Sequence, residues 1–245
     1  MGKQGLYIGT SGWSYKHWQD IFYPNEIRPE KYLEFYTSRF ECVELNSSFY
    51  NLPRVTTVSG WMRRTPDNFR FCPKISRLIT HHLRLTNIVE PLRRFFDVFA
   101  AMREKMGPVL IQLPPGLTYD RAMILDFLDL LTRQYIDYRY AVEIRHRSWM
   151  NEEFLGLLSD YNISLVIADS GTRYPYTETI TTDFVYLRFH GRNQLYASDY
   201  SEEVLKTYAD KIAAWLRDGK EVWAFFNNDY HGYAVKNAFK LRELI

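Results

Sequence analysis

The sequence is short of the features that mark several functional classes. Its 245 residues include only two cysteines, Cys42 and Cys72, too few for a disulfide scaffold, and no CxxC or HxxxH spacing that would nominate a compact metal centre. No run of about 18 apolar residues and no signal peptide is present, which points to a soluble, cytoplasmic protein without a membrane partner. Charge of one sign is lacking too. Lys and Arg number 31 against 29 Asp and Glu, a net of +2, so the chain as a whole is not built for nucleic acid, although a local basic rim stays open. No GxSxG elbow accompanies Ser11, Ser47 or Ser48, which disfavours a Ser-His-Asp hydrolase. Nor does a linker, repeat or low-complexity stretch divide the chain, so one domain over residues 1–245 is expected.

What is present in excess is aromatic residue, 17% of the chain, some of which should line a site. Eight short apolar runs read as strands: Leu6–Gly9, Cys42–Asn46, Phe69–Lys74, Val109–Leu113, Tyr140–Arg145, Ser164–Ala168, Val185–His190 and Val222–Phe226. Between most of them the apolar period is helical, at Pro29–Phe40, Ile88–Met106, Arg121–Gln134, Glu152–Tyr161, Glu202–Arg217 and Tyr233–Leu244. Asn151 and Ser201, each followed by two glutamates, read as N-caps. Two connections are weak in helix signal: Val55–Arg64, which Gly60 interrupts, and the stretch from Asp169 to Asp183, which reads as irregular. Strict strand–helix alternation over this length predicts a TIM (β/α)8 barrel with a reduced helical segment after the sixth strand.

In such a barrel the C-terminal strand ends share one rim, where active sites of the fold lie. Polar residues recur there: Ser11, Asn46, Lys74, Gln112, Glu143 with Arg145, Asp169, Arg188 with His190, and Asn227. Side chains two apart share a strand face, so Cys42, Glu44 and Asn46 point one way, as do Arg70, Cys72 and Lys74, or Tyr186, Arg188 and His190. If those faces point inward, Glu44, Lys74, Glu143 and Arg188 make a charged centre. That centre either closes the top of the core as an ion-pair network or binds and transforms a polar ligand, and the density of Trp, Tyr, His and Arg in the neighbouring loops favours the second. The two cysteines read as small core residues in a reducing cytosol, with a metal site or a disulfide as the alternatives.

The loop after the first strand, GTSGWSYKHW, has two glycines that let backbone approach a ligand, with amides able to hold an oxyanion. Trp13, Tyr15 and Trp18 follow closely, and Tyr50, Trp149, Tyr174, Tyr176 and Tyr196 come from other rim loops, together a candidate stacking wall for a sugar or base. That loop, with VELNSSFY at Val43–Tyr50, FCPKI at Phe71–Ile75, IQLPP at Ile111–Pro115, AVEIRHRSW at Ala141–Trp149, YLRFHGR at Tyr186–Arg192 and FFNND at Phe225–Asp229, resembles the domain of unknown function 72 family, or YecE-like proteins. The resemblance implies the same barrel and no settled activity. It carries over Trp13, Glu44, Asn46, Lys74, Glu143, Arg145, Arg188, His190, Gly191 and Asn227 as pocket positions.

The chemistry expected from these groups is a metal-independent hydrolase, lyase or isomerase acting on a small anionic, phosphorylated or nucleotide- or sugar-like molecule. Glu44, Lys74, Glu143 and Arg188 are the candidate catalytic residues, with Glu143 as base or acid and Lys74 as its electrostatic partner or as a Schiff-base lysine. Trp13, Asn46, Arg145, Asp169, His190 and Asn227 are the candidate substrate contacts, and Arg145, Arg188 and Arg192 the anion anchors. No cofactor is expected. A divalent metal held by Glu143, Asp169 and His190 is the weaker alternative, opposed by the nearby arginines, and the adjacent His81 and His82 read as a surface loop. A non-catalytic module for a ligand or nucleic acid is the other alternative.

Overall fold

The computed structural model describes residues 4–245. Eight strands form: β1 Leu6–Thr10, β2 Cys42–Leu45, β3 Arg70–Pro73, β4 Val109–Gln112, β5 Tyr140–Glu143, β6 Ser164–Asp169, β7 Phe184–Phe189 and β8 Glu221–Phe226. All laddered neighbours are parallel. They fall into two pieces, a curled sheet in the order β1-β8-β7-β6-β5-β4 and a separate β2-β3 pair.

Two seams join the pieces into a (β/α)8 barrel. At the β3–β4 seam the Gly107 amide donates to Phe71 O and the Ile75 amide to Leu110 O, both at 2.8 Å. At the β1–β2 seam a side chain stands in for the ladder. The Tyr36 hydroxyl accepts from the Thr10 amide at 3.0 Å and donates to Cys42 O at 3.1 Å. Gly9 is required there, since a Cβ would sit 2.4 Å from the Cys42 carbonyl oxygen.

The helices are α1 Tyr32–Thr37, α2 Ser47–Tyr50, α3 Val55–Arg63, α4 Val89–Phe99, α5 Arg121–Gln134, α6 Glu152–Asp160, α7 Glu202–Arg217 and α8 Tyr233–Leu244. Helix α3 forms despite Gly60, whose cost of about 1 kcal/mol is offset by burying Val58. Side-chain caps fix three starts: Asp120 accepts from the Met123 amide, Asn151 from Phe154 and Ser201 from Val204. Between β6 and β7 the chain makes no helix, as its composition predicts. Among the described residues no helix is long and apolar enough to cross a membrane.

Alternation splits the core into two layers. Val43, Phe71, Ile111, Val142, Ile167, Leu187 and Phe226 face outward onto helix residues such as Phe95, Leu128, Leu158 and Ile212. Cys42, Cys72, Leu110, Ala141, Val166, Ala168, Tyr186, Trp223 and Phe225 fill the barrel. Both cysteines are free and buried, and burial pushes their thiols up, as inert core residues require. Trp18 and Trp149 are also fully buried, which removes them from the expected stacking wall. The Trp149 indole is spent on Leu117 O at 2.7 Å.

Candidate active site

The inward phase of β2, β3, β5 and β7 places Glu44, Lys74, Glu143 and Arg188 directly above the apolar interior. Each is almost wholly buried. Arg188 lies at the centre with all three guanidinium nitrogens on carboxylates: Nε and Nη2 donate to Glu44 at 2.9 and 2.7 Å, and Nη1 donates to Glu143 Oε2. The Ser11 and Tyr186 hydroxyls complete Glu44 at 2.7 and 3.0 Å. Arg145 completes Glu143, its Nε donating to Oε1 at 2.8 Å.

This arrangement settles which charges are spent. Burial raises the Glu143 carboxyl, but Arg188, Arg145 and His190 outweigh it and hold the group well below the usual carboxylate range. Such a group keeps its negative charge near neutrality. Three of the five Arg188 N–H groups are committed to these carboxylates. Arg192 is likewise engaged, clamping Asp169 through Nε at 2.8 Å and Nη2 at 2.8 Å.

Asp169 itself faces the other way. Val166 and Ala168 are the inward residues of β6, so Asp169 projects outward to α7, where the Tyr208 hydroxyl donates to it at 2.6 Å. It is therefore no part of the mouth, and the triad Glu143, Asp169 and His190 cannot gather around one metal ion. Among the described residues no group of three or more His, Cys, Asp or Glu side chains is placed to hold one.

Lys74 is different. Two carboxylates are matched by two arginines, and the Lys74 ammonium is left with a neutral partner, Gln112 Oε1 at 2.8 Å, and with the Phe49 ring 3.9 Å away. Burial first, then the Arg188 charge, takes its pKa from the ordinary 10.5 down to about 7. Around it stand the remaining mouth residues. Arg145 stacks on the Tyr174 ring at 4.3 Å. Asn227 lies 3.2 Å from His190 Nδ1. With the Asn227 amide donating, His190 carries its proton on Nε2, which points at Glu143 Oε1 from 3.4 Å without a well-formed bond.

Trp13 and Asn46 line a cleft of about 330 Å³ together with Leu45 and Ser11, the last of which bonds Glu44. Trp13 packs edge-on against Trp61 at 5.4 Å. A larger cavity of about 620 Å³ lies elsewhere, around Leu6, Phe40, Phe239 and Arg242, and contains none of the rim residues.

The matching family model is that of the protein of unknown function DUF72, and it spans residues 7–245. The chain belongs to this family. Members it resembles include the UPF0759 protein YunF of Bacillus subtilis, 26% identical over 98% of this chain and 94% of YunF, and the UPF0759 protein YecE of Escherichia coli, 26% identical over 86% and 82%. A DUF72 protein of Thermotoga maritima has a solved structure that superposes with a TM-score of 0.87 at 32% identity, covering 98% of both chains. A D-psicose 3-epimerase of Clostridium cellulolyticum, at 8% identity, a TM-score of 0.54 and coverage of 97% and 96%, shares the fold alone.

Two mouth residues of this DUF72 chain carry roles that a strand-end reading of the sequence does not assign. Gln112, one of the strand-end residues, is the sole hydrogen-bond partner of the Lys74 ammonium among the described residues, and neutral glutamine carries no signal of that role. His81, expected on the surface, turns inward from a π-helical turn at Leu78–His82 to within 3.5 Å of Gln112. Burial and the Lys74 and Arg145 charges lower its pKa to about 4, so it is neutral at physiological pH.

Proposed function

We propose that the protein is a metal-independent enzyme acting on a small anionic molecule, with the Lys74 amine moving a proton and Arg145 anchoring the anion. One observation carries this: Lys74 is the buried cation for which the site supplies no carboxylate. Leaving a buried charge unpaired costs several kcal/mol, so an anion entering the mouth finds a partner already in place. A lysine that only had to bind would serve best fully charged. With a pKa of about 7 it is half amine, half ammonium near neutrality, the state that suits a base which must also return the proton. The role foreseen for Glu143 passes to Lys74, and Glu143 with Glu44 holds Arg188 and Arg145 in position. Proton abstraction of this kind serves lyase and isomerase chemistry.

The test needs no knowledge of the product. Phosphorylated and carboxylated metabolites are incubated with the protein in deuterated buffer containing chelator, and proton NMR follows exchange or turnover. The expected result is exchange with at least one such anion, undiminished by chelator and reduced at least about 100-fold in Lys74→Met. Exchange that persists in Lys74→Met, or that chelator abolishes, refutes the reading.

A further inference from the structure

As an amine, Lys74 carries a lone pair that the fold leaves uncommitted. The Gln112 amide is oriented by its Nε2, which donates to Leu113 O at 2.8 Å, so that its Oε1 faces the lysine and takes one N–H at 2.8 Å. No other hydrogen bond holds Nζ among the described residues, and the Phe49 ring of α2 lies 3.9 Å away. Burial favours the amine over the ammonium most, and the Arg188 and Arg145 charges add to it against the pull of Glu143 and Glu44. Of the four charged residues at the centre Lys74 alone keeps some surface, 6% against 0–1% for Glu44, Glu143 and Arg188, which makes it the one a small molecule in the mouth can reach.

Lys105 is a buried lysine of the opposite kind. Its Nζ donates to Met62 O at 3.1 Å and Thr65 O at 2.8 Å, with Thr65 Oγ1 at 3.4 Å, so three acceptors meet its three hydrogens. A desolvated amine beside other cations is instead a nucleophile toward carbonyl carbon. We infer that Lys74 condenses with the aldehyde or ketone of a small oxo anion, the class that includes 2-oxo acids, to form an imine. The lone pair makes the N–C bond, the carbonyl oxygen leaves as water with both amine hydrogens, and no oxidant or reductant is consumed. This activity goes beyond proton transfer, and only the choice of an anion rests on the function proposed above.

The test incubates the whole protein with pyruvate, or with acetone as its uncharged counterpart, in the presence of cyanoborohydride, which delivers hydride to an imine carbon and fixes the adduct as a secondary amine. Intact mass and peptide mapping read the site. Pyruvate should label Lys74 about tenfold or more faster than Lys105 or any surface lysine. The pyruvate-to-acetone ratio at Lys74 should exceed that at surface lysines about tenfold, and inorganic phosphate should slow the pyruvate reaction there. Lys74→Met, checked by thermal melting, should lose the fast label. A Lys74 that stays unlabelled, or is labelled no faster than surface lysines, overturns the imine and spares the proton-exchange reading. Fast label at Lys74 with no preference for pyruvate and no protection by phosphate upholds the imine and overturns the anion, here and in the function proposed above.

Discussion

Replacing Lys74 by methionine should make the protein more stable. Burial and the neighbouring guanidinium favour the neutral amine, taking the pKa from 10.5 to about 7. Between those values the unfolded chain binds more protons than the folded one, so Lys74 makes stability rise with pH across that window, and its full penalty is present below about pH 7. The gap from 10.5 to about 7 is worth roughly 4–5 kcal/mol at about 1.4 kcal/mol per pH unit. Methionine fills similar space without charge and gives up the Gln112 bond and the Phe49 contact, together about 1–2 kcal/mol. The net expectation is a gain of about 2–4 kcal/mol near pH 6, shrinking to zero or below near pH 10. Urea unfolding followed by circular dichroism at several pH values from about 6 upward, with both proteins compared at each, reads this effect because titrations remote from Lys74 cancel. A variant less stable than wild type near pH 6, or a difference constant across the range, would refute the reasoning.

Arg188→Met leaves Glu44 with two hydroxyl donors and no counter-ion, and should cost about 3–5 kcal/mol in chemical denaturation, with Arg188→Lys recovering part. Tyr36→Phe strips the β1–β2 seam of its bridge and should cost about 1–3 kcal/mol, with faster hydrogen exchange at the Thr10 amide as its local signature. Asp169→Asn, by loosening Arg192 and Tyr208, should lower the melting temperature while leaving affinity for an anion at Lys74 unchanged, which separates the outer cluster from the mouth.

Much of the barrel was legible because its strands and helices differ so plainly in period, and the mouth was legible wherever strand phase could be counted. Glu44, Lys74, Glu143 and Arg188 came together because each sits two residues beyond an inward-facing small or aromatic residue of its strand, and Arg145 and His190 follow two residues later in the same phase. Asp169 was misplaced for the same reason in reverse. Position at a strand end suggested the rim, but the inward phase of β6 is fixed by Val166 and Ala168, and packing sets that phase. Nothing local distinguishes Trp18 and Trp149, buried, from Trp13, half-exposed in a cleft. His81 escaped because an adjacent histidine pair carries no direction until a π turn aims one of the two. The pinning of Glu143 was equally invisible, since residue identity shows a carboxylate and only geometry shows who holds it.

The split of the barrel gives the polar mouth a mechanical meaning. Arg188 on β7 and Ser11 beyond β1 both grasp Glu44 on the small β2-β3 piece, while Lys74 just beyond β3 reaches Gln112 on β4. The Ser11 and Lys74 bonds cross the very seams where the main-chain ladder is sparse, and Arg188 ties the two pieces across the barrel, so the mouth is the clasp of the ring. Any molecule that engages Lys74 on one piece and Arg145 on the other spans the same split and fastens it further. Inactivity after substitution at Glu44 or Arg188 would therefore report a sprung ring as readily as missing chemistry.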